Sequence, residues 1–106
     1  MIGAMARLLV LYNQPADPAA FDRYYTEIHI PLARKIPGLR SYSVSSGGVA
    51  MIAGGPQTHL IAELDFDTMA DLQSAMASAE GQAAAADVGN FADGGVTILA
   101  FDTKSV

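Results

Sequence analysis

Cysteine is absent from this 106-residue chain. That excludes disulfides, thiolate metal sites and cysteine nucleophiles. Charge is also scarce: 16% of residues are charged, and the formal net charge is −5. The cations Arg7, Arg23, Arg34, Lys35, Arg40 and Lys104 are scattered, with only Arg34 and Lys35 adjacent. Nucleic acid and anionic membrane surfaces both need clustered cations, so neither is expected as a partner. The N-terminal apolar run, M-I-G-A-M-A-R-L-L-V-L-Y, is too short to span a bilayer and has no basic region before it. It reads as a first strand after a short leader, with Met1 and Met5 as candidate starts and the cytoplasm as the expected location. The two histidines, His29 and His59, lie far apart, and carboxylates are not densely spaced, so no metal site is expected. The run G-G-V-A-M-I-A-G-G lacks the Lys-Ser/Thr of a phosphate loop, and no dinucleotide fingerprint is present.

What the chain has in plenty is apolar residues, at 51%. A domain this small leaves much apolar surface uncovered, so the composition predicts burial against another subunit. Ala6 to Tyr12 reads as a strand buried on both faces. Leu39 to Ser45 alternates as a half-polar strand, and the glycine-rich stretch 47–58 reads as a mobile loop or hairpin tip. His59 to Phe66 is a strand with Leu60, Ala62, Leu64 and Phe66 on one face and His59, Ile61, Glu63 and Asp65 on the other. Thr68 with Asp71 resembles a capping box, and Ser78 is placed to cap a further helix through Ala83–Ala86 and Val88. Val96 to Phe101 is the last strand. The order is β-α-β-β-α-β, an α+β, ferredoxin-like plan with a four-stranded antiparallel sheet and helices on one face. One domain over residues 1–106, with its core at about 6–102, is expected. The sheet's second face has nothing of its own chain to cover it, which predicts a homodimer.

The stretch D-P-A-A-F-D-R-Y-Y-T-E-I-H-I-P-L-A-R-K-I-P-G-L, Asp17 to Leu39, holds the densest information. Asp17 is an N-cap and Pro18 suits the first helical turn. Pro31 disfavours helical geometry at Ile30, so the helix is expected to end or kink near His29. A kink there would present the imidazole to the sheet's open face. Pro37-Gly38 then stops the second helical piece.

The run P-x-D-P-x-x-F-D-x-Y-Y-x-x-x-H-x-P-L-A-x-K-I-P-G-L, Pro15 to Leu39, resembles the EthD family of dimeric α+β barrel proteins. Ala62 to Met69 and Ser78 to Phe91 resemble it too. The resemblance implies a two-subunit barrel and an accessory role in ether degradation, or chemistry on small aromatic or polyketide-derived compounds. It also implies that His29 is the family's recurring histidine before Pro-Leu. Some relatives of this fold bind haem, for which His29 would be the ligand; otherwise no cofactor is expected.

An imidazole titrates near neutral pH and suits proton transfer. His29 is therefore the candidate acid/base, against the plainer alternative of a helix-end histidine bonded to the last free carbonyls. Tyr12, Tyr25 and Tyr42 offer flat apolar surface with a hydroxyl, suited to ring compounds or to ordinary core packing. His59, Ile61 and Glu63, on the face expected to turn into the barrel, are candidate ligand contacts. Arg40 suits an anionic group or a surface ion pair. The expected function is binding of a small hydrophobic ring compound with cofactor-free isomerase, dehydratase or decarboxylase chemistry. The alternatives are a non-catalytic accessory binding protein and a haem or redox-related member.

Overall fold

The computed structural model describes residues 5–106. The short leader expected before the first strand lies outside them. β1 (Ala6–Asn13), β2 (Ser41–Val44), β3 (Thr58–Phe66) and β4 (Val96–Asp102) form one sheet in the order β2-β3-β1-β4. Every pairing in it is antiparallel. The helices are α1 (Pro18–Tyr24), a π turn (Tyr25–His29), α2 (Ile30–Ala33), α3 (Met69–Ala77), α4 (Ala79–Asp87) and a 3-10 turn (Val88–Asn90). The α+β, ferredoxin-like arrangement is as the sequence predicts. None of the helices among the described residues is long and apolar enough to cross a membrane.

The caps fall where side-chain chemistry places them. Asp17 accepts from the Ala20 N–H at 3.1 Å, Thr68 from Asp71 at 3.0 Å and Ser78 from Gly81 at 3.0 Å. Near Pro31 the structure differs from expectation. The helix does not end at His29. It widens into the π turn, where Ile30 N–H bonds to the carbonyl of Tyr25. A wider turn spreads the hydrogen-bond ladder just where Pro31 cannot donate, so the chain stays helical to Ala33.

β1 alternates between buried and half-buried rather than being buried on both faces. Leu8, Val10 and Tyr12 pair with Leu64, Ala62 and Leu60 and face the helices. Arg7, Leu9 and Leu11 pair with Asp65, Glu63 and Ile61 on the uncovered face. Phe21, Tyr25, Leu72, Ala75, Ala84 and Phe91 close the core from the helical side. Tyr12 is its hub, with Phe21 at 5.4 Å, Tyr25 at 5.6 Å and Phe91 at 5.4 Å between ring centroids.

α3 and α4 meet tightly because Gly81 lacks a side chain. A methyl group there would overlap the Ala75 carbonyl oxygen and lie 2.9 Å from the Met76 Cα. Gly81→Ala is expected to destabilise the fold by about 1–3 kcal/mol, since the obstacle is backbone. At roughly 4–8 °C per kcal/mol for a domain near this size, thermal unfolding would show it clearly. An unchanged melting temperature would mean that the helix junction relaxes freely.

Candidate functional site

His29 reaches the site from the π turn and is only 6% exposed. It does not face the sheet's open side. It lies in the layer between helices and sheet, against Tyr25 and Phe91 at 5.1 and 4.8 Å between ring centroids. Its Nδ1 is 3.0 Å from Oδ2 of Asp87, at the end of α4. The Tyr24 hydroxyl donates to Asp87 Oδ1 at 2.6 Å, and the Asn90 amide donates to the same oxygen at 3.0 Å. Burial pushes the Asp87 carboxyl up, but hydrogen bonds from Tyr24, Asn90 and His29 outweigh it and hold it below the usual range. An ionised carboxylate only accepts, so Nδ1 carries the proton and Nε2 is the free nitrogen. This is the arrangement in which a carboxylate orients an imidazole for proton transfer.

A cavity of about 70 Å³ lies between sheet and helices, with His29 in its wall. Tyr12, Tyr25 and Tyr42 bring it hydroxyls, and Leu8, Val10 and Leu64 line the sheet side. On the α4 side the wall is Gly81, Ala84 and Ala85. Those small residues leave the gap that larger ones would fill. No aspartate, glutamate, lysine or arginine is among the lining residues. The Tyr25 and Tyr42 hydroxyls are 2.6 Å apart, so one donates to the other and the acceptor's own hydrogen is not used in that bond. Burial pushes the Tyr12, Tyr25 and Tyr42 hydroxyls above the usual phenol range. All three are therefore neutral donors at working pH.

The other sequence candidates lie elsewhere. Ile61 and Glu63 point to the uncovered sheet face, away from this cavity, and Glu63 pairs with Arg7 at 3.2 Å. Alternation fixed which residues share a face; the gap under α4, which decides the cavity's side, is a packing outcome. His59 leaves the row of Ile61 and Glu63, because pairing steps from Tyr12–Leu60 to Asn13–Thr58. That irregularity lets His59 reach Asp22 of α1, Nε2 to Oδ1 at 2.7 Å, with its ring edge-on to Phe21. Arg40 is engaged on the surface with Asp67 at 2.6 Å. Among the described residues no group of three or more His, Asp or Glu is placed to hold a metal ion.

Asp87 was not singled out from the sequence. Its signal was there: Gly81, Ala84 and Asp87 recur at three-residue spacing along α4, so a lone carboxylate continues a buried stripe of small residues.

Comparison with known proteins agrees with this architecture. The EthD domain family matches residues 13–95. An uncharacterized 11.0 kDa protein of the thcB-thcC intergenic region of Rhodococcus erythropolis is 45% identical over 103 residues, covering 96% of this chain and 98% of that protein. The crystal structure of an ethyl tert-butyl ether degradation (EthD) family protein from Bacillus halodurans superposes with a TM-score of 0.85 at 38% identity, over 94% of this chain and 99% of the other. A hydroxynitrile lyase from Passiflora edulis shares the fold alone, with a TM-score of 0.71 at 12% identity over 96% and 95% of the two chains. The sequence match runs from the end of β1 to the turn before β4 and takes in His29 and Asp87, and by it this chain belongs to the EthD family.

Proposed function

We propose that this protein binds a small uncharged organic compound in the cavity under its helices and catalyses proton transfer there without a cofactor. The observation that carries the reading is the His29–Asp87 pair at 3.0 Å, set in the wall of an otherwise uncharged cavity. His29 Nε2 takes a proton from a C–H or O–H of the ligand, and Asp87 stabilises the imidazolium that forms. The hydroxyl left free by the Tyr25–Tyr42 pair donates to the oxygen on which negative charge develops. His29 then returns the proton to another atom, which gives isomerisation, or to a departing group, which gives elimination. An apolar lining strengthens each of these polar contacts by excluding water. A hydroxynitrile lyase on the same architecture supports lyase-type chemistry as one outcome.

Haem does not suit the cavity beside His29. A porphyrin is far larger than about 70 Å³, and neither lysine nor arginine lines the cavity to meet its carboxylates.

The protein works as a homodimer in this reading. Leu9, Leu11, Leu99 and Phe101 lie on the sheet face that its own helices leave bare, with Leu99 47% and Phe101 38% exposed. Such a face is suited to a second copy of itself.

Replacing His29 by Ala is expected to lower turnover by roughly two to four orders of magnitude in a screen of small carbonyl and phenolic compounds. Turnover unchanged by that substitution removes His29 from the acid/base role. Tight binding of a screened compound with no chemical change in the wild-type protein identifies a non-catalytic accessory binding protein instead.

A further inference from the structure

A second opening lies beside the first, between α1 with its π turn and the β2–β3 hairpin. It encloses about 380 Å³ and is lined by Asp22, Tyr25, Thr26, Ser45, His59 and Leu60, among others. Tyr25 belongs to both walls. Its hydroxyl meets that of Tyr42, which lines the inner cavity from edge strand β2. The two spaces therefore share a boundary made of tyrosine.

The inner cavity is too small to be the whole site. An engineered cavity of about 150 Å³ is what takes up benzene, and the space beside His29 is about 70 Å³. It admits a reacting end of a few heavy atoms. The outer groove has the room that the rest of a molecule needs, and its chemistry differs. Asp22 is 60% exposed, and one of its oxygens holds His59 at 2.7 Å. Its second oxygen is an acceptor facing water. The Ser45 hydroxyl oxygen accepts the Ile61 N–H at 3.0 Å, which leaves its own hydrogen to donate. An acceptor on one wall and a donor on the other match a hydroxyl group, which is both. A carboxylate would meet the Asp22 charge, and the chain's net charge of −5 adds to the repulsion.

We propose that the two spaces are halves of one binding site, which takes an uncharged, elongated compound with its reacting end beside His29 and a hydroxyl-bearing end between Asp22 and Ser45. The inference rests on the cavity reading above and extends it to the groove. The hydrogen-bonded Tyr25–Tyr42 pair is the wall that must part to join them.

The chain has two histidines, one in each half. Their imidazole NMR signals thus report the halves separately. The probes are phenol, 4-(2-hydroxyethyl)phenol and 4-hydroxyphenylacetate, titrated into the full-length protein. The expected result is that 4-(2-hydroxyethyl)phenol moves both signals with one dissociation constant. Phenol, whose ring enters the inner space only if its tyrosine wall shifts, moves the His29 signal alone and binds about tenfold more weakly, as fits one lost hydrogen bond to a charged group. The carboxylate does not move the His59 signal. Asp22→Asn removes most of the tenfold gain while phenol binding is kept. Movement of the His29 signal alone with every probe overturns the joined site and leaves the cavity reading intact. Movement of the His59 signal alone overturns the joining and counts against the cavity reading too. If neither signal moves at millimolar probe, the groove takes no hydroxyl-bearing ligand and the inference fails, while His29 is still judged by the turnover assay.

Discussion

Replacing Asp87 by Asn is expected to reduce turnover by roughly two to four orders of magnitude while leaving a folded protein. The amide keeps the shape of the carboxylate but lacks its charge. It no longer requires the proton to sit on His29 Nδ1, so the tautomer with a free Nε2 loses its support. It also offers no stabilisation to the imidazolium. The related substitution in the serine protease triad, a general precedent rather than a property of this chain, has an effect of about ten-thousandfold. Asp87→Ala goes further. It strips partners from His29 Nδ1, the Tyr24 hydroxyl and the Asn90 amide together. Leaving the buried His29 Nδ1 donor unpaired costs about 1–3 kcal/mol, a sizeable share of the roughly 5–15 kcal/mol that holds a domain of ordinary stability.

The same carboxylate links folding to pH. Hydrogen bonds hold the Asp87 pKa down in the folded state, so the unfolded chain binds a proton more readily. Its stabilising contribution is complete above the unfolded value of about 3.9 and is lost as pH falls through the lower folded value. Asp65 behaves likewise, its carboxyl held down first by the hydrogen bond from Arg7. The wild-type protein is therefore expected to lose stability below about pH 4, and Asp87→Asn to lose less of it. Denaturant midpoints measured from pH 5 downward check this. Parallel curves for the two proteins, with equal turnover at neutral pH, would leave Asp87 without the assigned role.

The order of elements was legible because each rests on local chemistry. Asp17, Thr68 and Ser78 are caps by virtue of short polar side chains, and the structure bonds each to a backbone N–H. The period of two along β1 and β3 likewise fixed which side chains share a face. The site was less legible, for three separable reasons. The His29–Asp87 contact joins residues 58 apart in sequence, and no local pattern encodes such a distance. The π turn at Tyr25–His29 carries the helix past the point where Pro31 suggests an end or a kink, and His29 meets α4 rather than the open sheet. The step in pairing at Tyr12 and Asn13 brings His59 over α1, which strict alternation forbids. In the last two cases a backbone irregularity changed where a side chain goes without changing the fold.

The uncovered sheet face carries the other large expected effect. Phe101→Glu is expected to convert the protein from dimer to monomer at micromolar concentration. Phe101 pairs with Arg7 on the bare face, next to Leu99, which pairs with Leu9. On that face Leu99 and Phe101 are exposed although apolar. In a lone chain those side chains would meet water, at about 25 cal/mol for each Å² of apolar surface that a partner would otherwise cover. A glutamate there does more than remove a contact. If the partner's face packs on it, a charge is taken out of water, which costs several kcal/mol for each copy. The two-fold relation of a homodimer places two such charges in one interface. The Arg7–Asp65 pair at 2.8 Å already satisfies the nearest cation, so the new carboxylate does not find Arg7 free. Sedimentation equilibrium separates the outcomes directly: a wild-type mass of about twice 11.0 kDa and a variant mass near 11.0 kDa. A circular dichroism spectrum unchanged in the variant distinguishes dissociation from unfolding. A wild-type protein that sediments as a monomer, or a Phe101→Glu variant that stays dimeric, means this face is not where the copies meet.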